Sequence, residues 1–146
     1  TGASLGCEAG FLVGAVTMLV SNFFFAQGPW TPWQMAAAGL VGALAGLAFA
    51  RGALRAKRLP LCLFGAVAAL CPYGVMMNLA TVVMYRQAVT WPLLRAALVS
   101  GLPVDLVHAA ATVVFLWLFS RPMLQVLTRI RKKYGLIEAM DEVTLK

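Results

Sequence analysis

The chain has 146 residues, of which 62% are apolar and only 12% are charged, and its formal net charge is +7. Soluble domains are usually about 45–50% apolar and about 25% charged, and a chain this short cannot bury so much apolar surface in one core. The composition therefore argues against a soluble enzyme, a disordered segment and a nucleic-acid partner. It predicts an all-α integral membrane protein that contacts the lipid bilayer.

The spacing of the charged residues predicts four transmembrane helices. No charged residue occurs in residues 9–50 or 59–85, and Asp105 is the only one in residues 96–120. A span needs about 20 apolar residues, so the first interval accommodates two spans and the others one each. We expect one helical bundle over residues 1–134, followed by a cytoplasmic tail over residues 135–146.

The first two spans are expected at about residues 8–25 and 32–50. Each carries two glycines four residues apart, which favours close packing of helices. The loop between them contains two prolines that exclude a helix, and Thr31 is placed to cap the second helix. Because the chain opens with a Gly-rich segment instead of Met, we expect the bundle to be incomplete at its N-terminus.

The third span is expected at about residues 60–85, with a kink at Pro72, and the fourth at about residues 103–120. Between them, residues 86–102 are expected to form a loop in which Trp91 opens a short surface helix.

Basic residues predict the orientation of the four spans. They cluster in residues 51–58 and again in residues 121–133. By the positive-inside rule both segments are cytoplasmic, and the second can continue as an amphipathic helix that binds anionic lipid.

Polar residues inside a membrane are costly and therefore informative. Two polar stripes occur at helical spacing in the outer halves of the third and fourth spans. They consist of Asn78, Thr81 and Tyr85 in the third span and of Asp105, His108 and Thr112 in the fourth. If the stripes face each other, they line a pocket that opens to the outside.

The loop between the first two spans is a candidate lid for this pocket. Hydrogen-bonding groups come from Asn22, Gln27 and Gln34, and flat apolar faces come from Phe23, Trp30 and Trp33. A few placed polar groups among aromatic side chains are typical of a small-molecule site.

Each of these residues also has a structural explanation. Asp105 is equally explained as a cap of the fourth helix or as a partner of Arg95 or Arg86. His108 is explained as a hydrogen-bonded bundle residue, and Asn78 as an interhelical hydrogen bond. The two loop tryptophans are explained as interfacial anchors.

Catalysis and metal binding find little support in the sequence. Asp105 and His108 could pair as a base and its orienting group, but no nucleophile or metalloprotease motif accompanies them. The three cysteines form no CxxC pair, which argues against a metal or disulfide framework. We expect a non-catalytic protein without a cofactor.

Three segments resemble a known family of membrane proteins. They are Glu8-Ala-Gly-Phe-Leu-Val-Gly-Ala, Leu19-Val-Ser-Asn-Phe-Phe-Phe and Gln27-Gly-Pro-Trp-Thr-Pro-Trp-Gln-Met35. They resemble the substrate-binding S components of energy-coupling factor (ECF) vitamin transporters, most closely the branch that includes the cobalamin-specific S component.

The resemblance implies a fold and a mechanism. S components have six helices with both termini cytoplasmic, and the four helices here would correspond to helices three to six. The S component captures a vitamin from outside the cell membrane and docks onto a transmembrane T component that carries two cytoplasmic ATPase subunits. ATP hydrolysis then topples it and releases the vitamin inside. The chain itself has no GxxxxGK[ST] motif.

The resemblance also implies which regions contact the substrate. The polar and aromatic residues in those regions are Asn22, Gln27, Trp30, Trp33, Gln34, Asn78, Tyr85, Trp91, Asp105 and His108. Cobalamin is the first candidate ligand, with His108 as a conceivable axial ligand of cobalt, and a smaller vitamin or a modified base is the alternative. The small residues 109–111 are a candidate docking face. A structural or assembly membrane protein without a small ligand is the alternative function.

Overall fold

The computed structural model describes residues 1–50, 56–85 and 89–134, and within these ranges it contains helices and no strand. The helices are α1 (Gly2–Leu5), α2 (Cys7–Phe25), α3 (Thr31–Ala45), α4 (Arg58–Ala68), α5 (Val75–Tyr85) and α6 (Trp91–Lys133). A π-helical segment, Gly46–Ala50, extends α3, and a second, Ala69–Gly74, joins α4 to α5.

Four helical stretches in the described part of the chain are long and apolar enough to cross a membrane. They are Cys7–Phe25, Thr31–Phe49, Arg58–Tyr85 and Trp91–Lys133. Large apolar side chains point outward along them, as with Phe24 at 82% exposure and Val99 at 73%. The predicted fold class, an all-α membrane protein with four spans, is confirmed.

The predicted break at Pro72 takes the form of a π-helical segment. Proline has no backbone N–H and cannot donate to the carbonyl four residues earlier. The chain accommodates this within Ala69–Gly74 and then returns to an α-helix at Val75. The third span is therefore one helix with an internal irregularity.

The helix predicted to open at Trp91 does begin there, but the prediction of a short surface helix followed by loop up to residue 102 is wrong, because α6 runs unbroken from Trp91 to Lys133. Thr90 has an extended backbone and ends the preceding segment, and the following residues are mostly Leu and Ala, which favour a helix. Pro103 lies inside α6 without ending it. The predicted helical continuation after residue 121 is confirmed.

Glycines let α2 and α3 pack with their backbones in contact. A Cβ atom on Gly10 would meet the backbone oxygen of Gly42, and one on Gly42 would meet the backbone oxygen of Gly10. One turn further, a Cβ on Gly14 would meet the backbone oxygen of Ala38. The paired glycines thus have the close-packing role that their spacing predicts.

Small residues also bring α4 against α6. The Cys62 thiol donates to the carbonyl of Val113 at 3.8 Å, and a Cβ on Gly65 would meet the side chain of Leu116. An edge-to-face contact between Phe49 and Phe64, with ring centroids 5.4 Å apart, connects the end of α3 to α4. The bundle therefore has two closely packed helix pairs joined by an aromatic contact.

The predicted tail, residues 135–146, lies outside the described residues, and so do residues 51–55 of the basic loop and Arg86.

Candidate functional site

The two polar stripes predicted from the sequence meet through a hydrogen bond between Asn78 of α5 and Asp105 of α6. The Asn78 amide Nδ2 donates to Asp105 Oδ2 at 2.9 Å and to the backbone oxygen of Gly74 at 2.9 Å. Glycine makes room for this pair, because a Cβ on Gly101 would meet the Asn78 side chain and one on Gly74 would lie 2.9 Å from Asp105 Oδ2. Asn78 therefore connects two spans, as interhelical amides do in membranes.

Asp105 lies about four turns inside α6. It therefore does not cap a helix, and that structural explanation is wrong. Its partner is the Asn78 amide, whereas Arg95 places its guanidinium over the ring of Trp91, 5.1 Å from the centroid. The suggested pairing with Arg86 lies outside the described residues.

A cavity of about 370 Å³ lies between the helix pair α2–α3 and the helices α4 and α6. Most of its wall is apolar and built from small residues, and segment α1 closes part of it. The side chains that bring polar atoms to the wall are those of Thr1, Tyr73, His108 and Thr112. A mostly apolar wall with a few polar groups is the usual form of a small-molecule site.

Tyr73 and His108 form the aromatic part of this wall. Their rings pack edge to face, with centroids 5.0 Å apart and an interplanar angle of 84°. The Thr112 hydroxyl donates to the backbone oxygen of His108 at 2.8 Å, so that hydroxyl proton is used within α6. The cavity therefore offers aromatic faces, a phenol and an imidazole to a ligand.

The predicted lid residues form a separate hydrogen-bond network where α2 ends and α3 begins. Asn22 Nδ2 donates to Thr31 Oγ1 at 3.0 Å and to Gln34 Oε1 at 2.7 Å. The Thr31 hydroxyl donates to Gln27 Oε1 at 3.0 Å and accepts the backbone N–H of Gly28 at 3.3 Å. Thr31 is itself the first residue of α3, so it holds the loop together instead of capping the helix as predicted.

The aromatic residues predicted for the site lie around the same end of the bundle. Trp30 and Trp33 are half-buried, and the Trp30 ring packs against Gly28. Tyr85 and Trp91 are exposed, at 60% and 64%. Of the ten residues predicted from the sequence, His108 is the one that lines the cavity.

Tyr73 was not among the residues predicted for the site. Tyr73 follows Pro72 inside the π-helical segment Ala69–Gly74. Regular helical spacing does not predict which way a side chain points in such a segment, so the neighbouring proline was the one available sign of an irregularity. No group of three or more metal-ligating side chains occurs among the described residues, and the three cysteines are free.

An apolar four-span bundle around a cavity with a few polar side chains has the form usual for a membrane protein that binds a small molecule. A family model, ECF-type riboflavin transporter, S component, matches residues 1–125, and the chain belongs to this family. No curated protein and no solved structure gives a significant match.

Family membership confirms the coarser part of the prediction. The chain is a non-catalytic, multi-pass membrane protein, and it is the substrate-binding subunit of an ECF vitamin importer. S components of this kind work with a T component and ATPase subunits. The cobalamin branch is not supported, because the matching model is of the riboflavin type.

Proposed function

We propose that this chain captures riboflavin, or a vitamin of similar size and shape, in the cavity between α2–α3 and α4–α6. The observation that carries the proposal is the cavity wall, where the Tyr73 and His108 rings lie 5.0 Å apart among apolar side chains. A flat heterocyclic ring system gains apolar burial and aromatic contact in such a wall. The riboflavin-type family match supports the same ligand class.

The size of the cavity favours a small vitamin over cobalamin. Its volume of about 370 Å³ is near the lower end of the roughly 300–1,000 Å³ typical of small-molecule pockets. A corrin macrocycle with its nucleotide loop is several times larger than a three-ring heterocycle with a short polyol chain. With cobalamin disfavoured, the suggested role of His108 as a ligand of cobalt loses its basis.

The remaining predicted residues are proposed to form the surroundings of the ligand. Asn78 and Asp105 stabilise α5 against α6 one turn from His108, and they set the position of the imidazole. The network around Asn22 and Thr31 stabilises the loop between α2 and α3. In this proposal that loop and the exposed rings of Tyr85 and Trp91 form the outer end of the bundle, where a ligand from outside would arrive.

We further propose that the chain lies in the cell membrane with its C-terminus in the cytoplasm, where a T component and two ATPases complete the importer. Basic residues at one end of the bundle, including Lys57, Arg58, Arg121 and Arg129, support this orientation through the positive-inside rule.

Binding of riboflavin and of cobalamin to the purified protein in detergent, measured by titration calorimetry, tests the ligand. We expect one-to-one binding of riboflavin and none of cobalamin. Tyr73→Ala should weaken riboflavin binding about tenfold or more, because it removes an aromatic wall of the cavity. Phe119→Ala is the matched control, since that ring packs on Phe115 instead of lining the cavity.

Two results would contradict the proposal. One is the absence of riboflavin binding by protein whose circular dichroism shows intact helices, which would favour a structural role. The other is an equal loss of affinity in Tyr73→Ala and Phe119→Ala, which would place the ligand elsewhere.

A further inference from the structure

Two polar atoms at the end of the bundle that contains the start of α4 are buried and have no hydrogen-bond partner in the described part of the chain. They are Nε of Arg58 and Oγ of Ser120. Ser120 is only 6% exposed. A buried polar group without a partner costs roughly 1–3 kcal/mol, so each of these atoms would be stabilised by a ligand that accepts its hydrogen bond.

Ser120 differs from other hydroxyl side chains of the bundle. Thr17, Thr81, Thr112 and Thr128 each donate to the backbone oxygen four residues earlier in their own helix. Ser120 lies inside α6 and could make the same bond to a backbone oxygen of its own helix, but its hydroxyl has no hydrogen-bond partner. Its hydroxyl is therefore available to a group outside its own helix.

The register of α4 against α6 places Ser120 near Arg58. Leu116 packs at Gly65 of α4, and Ser120 lies one turn further along the same face of α6. The helices are antiparallel here, because the later residue Trp117 contacts the earlier residue Arg58, whose guanidinium carbon is 5.4 Å from the ring centroid. Ser120 thus faces the beginning of α4.

The beginning of α4 adds backbone donors to this place. Lys57 precedes the helix and makes no side-chain capping bond. The N–H groups without an intrahelical partner are those of Arg58 and Leu59, because Pro60 has no N–H and the N–H of Leu61 donates to the Lys57 oxygen at 3.1 Å. They carry a partial positive charge. A guanidinium, a hydroxyl and a helix start are the groups that proteins use to bind phosphate.

We infer that Arg58, Ser120 and the first turn of α4 bind a phosphate oxyanion, supplied by the headgroup of an anionic phospholipid. Arg58 donates from Nε and its terminal nitrogens, and Ser120 donates from its hydroxyl. Trp117, which is 49% exposed, lies beside Arg58 and suits the boundary between headgroups and acyl chains, where tryptophan is enriched. The site is separate from the vitamin cavity, whose wall includes neither Arg58 nor Ser120.

Native mass spectrometry of the full chain, titrated with phosphatidylglycerol or with phosphatidylcholine, tests this inference. We expect one phosphatidylglycerol to bind preferentially. Arg58→Gln should weaken that binding about tenfold or more, since it removes a charge-assisted contact. Arg129→Gln is the control of equal charge, because Arg129 is exposed near the end of α6.

Ser120→Ala should leave folding intact, because it removes one oxygen that has no hydrogen-bond partner. It should weaken phosphatidylglycerol binding by roughly two- to tenfold. Ser100→Ala, which removes a hydroxyl that donates to Ala97 within α6, should leave the binding unchanged.

Inorganic phosphate distinguishes the two sources of the oxyanion. If millimolar phosphate does not displace the bound lipid, the headgroup is the ligand, as we infer. If inorganic phosphate binds to the protein in phosphatidylcholine, and Ser120→Ala weakens that binding, the oxyanion site is supported but a lipid headgroup as its source is refuted. Equal effects of Arg58→Gln and Arg129→Gln, together with no effect of Ser120→Ala, would overturn the site.

Discussion

The hydrogen bond between Asn78 and Asp105 predicts an unusual order of stabilities among three variants. Asn78→Leu removes the donor and leaves the Asp105 carboxylate, which is half-buried, without a partner. Asp105→Leu removes the acceptor, but the amide keeps its second bond to the Gly74 oxygen at 2.9 Å. The double variant replaces both polar groups with apolar groups of similar size.

The magnitudes follow from the bonding. A hydrogen bond to a charged group contributes about 1.5–3 kcal/mol, and replacing both partners by apolar groups of the same shape is nearly neutral. Interhelical hydrogen bonds in membranes average about 0.6 kcal/mol and reach about 1.7 kcal/mol. We therefore expect Asn78→Leu to cost about 1–2 kcal/mol and Asp105→Leu under about 1 kcal/mol. The double variant should be less destabilised than Asn78→Leu alone.

The assay is unfolding from a mild detergent into dodecyl sulfate, followed by circular dichroism, which gives the free energy of unfolding of each variant. Thr81→Val is the control, because its hydroxyl donates only within α5, to the Met77 oxygen at 3.0 Å. It should change the free energy by less than about 0.5 kcal/mol. If the costs of the two single substitutions add to within about 0.5 kcal/mol in the double variant, the contact does not couple the helices and the reasoning is refuted.

Three further substitutions test the packing and the loop, each by the same unfolding measurement. Gly42→Ala should lower the free energy of unfolding by about 1–3 kcal/mol, because its Cβ meets backbone across the α2–α3 contact, whereas Ala36→Val on the exposed side of α3 should change it little. Thr31→Val should cost about 1–3 kcal/mol, since one hydroxyl serves three partners, and Thr17→Val, a hydroxyl bonded within its own helix, should cost less. Ala26→Gly should raise the free energy by about 1 kcal/mol, because Ala26 has φ 92°, which strains any residue with a Cβ; a loss of stability would contradict this.

Hydropathy and charge spacing were sufficient to predict the four spans, because lipid requires long uncharged helices whatever the tertiary packing. They were not sufficient to predict the extent of α6. Pro103 and Gly101 look like helix breakers in a sequence, yet inside a membrane the helix continues through them, since a broken helix would expose backbone groups to lipid. The helix start at Trp91 was predicted, but its continuation through Pro103 into the fourth span was not.

The candidate site was also predicted only in part. Helical spacing placed Asn78 and Asp105 on facing stripes, and the structure joins them. Helical spacing could not show that Asn22 bonds Gln34 directly and is connected to Gln27 through Thr31, because that depends on the course of a short loop. Nor could it find Tyr73, whose direction follows from the π-helical segment around Pro72.

Helix α6 is long enough to extend well beyond the membrane. Its 43 residues extend for about 64 Å at 1.5 Å per residue, roughly twice the thickness of the hydrocarbon core of a bilayer. From Asp105 to Lys133 the arm is about 42 Å long, so a rotation of about 10° around the Asn78–Asp105 contact would carry the last turn sideways by about 7 Å. Such a rotation would therefore turn a small change of tilt inside the membrane into a displacement of several ångströms beyond it.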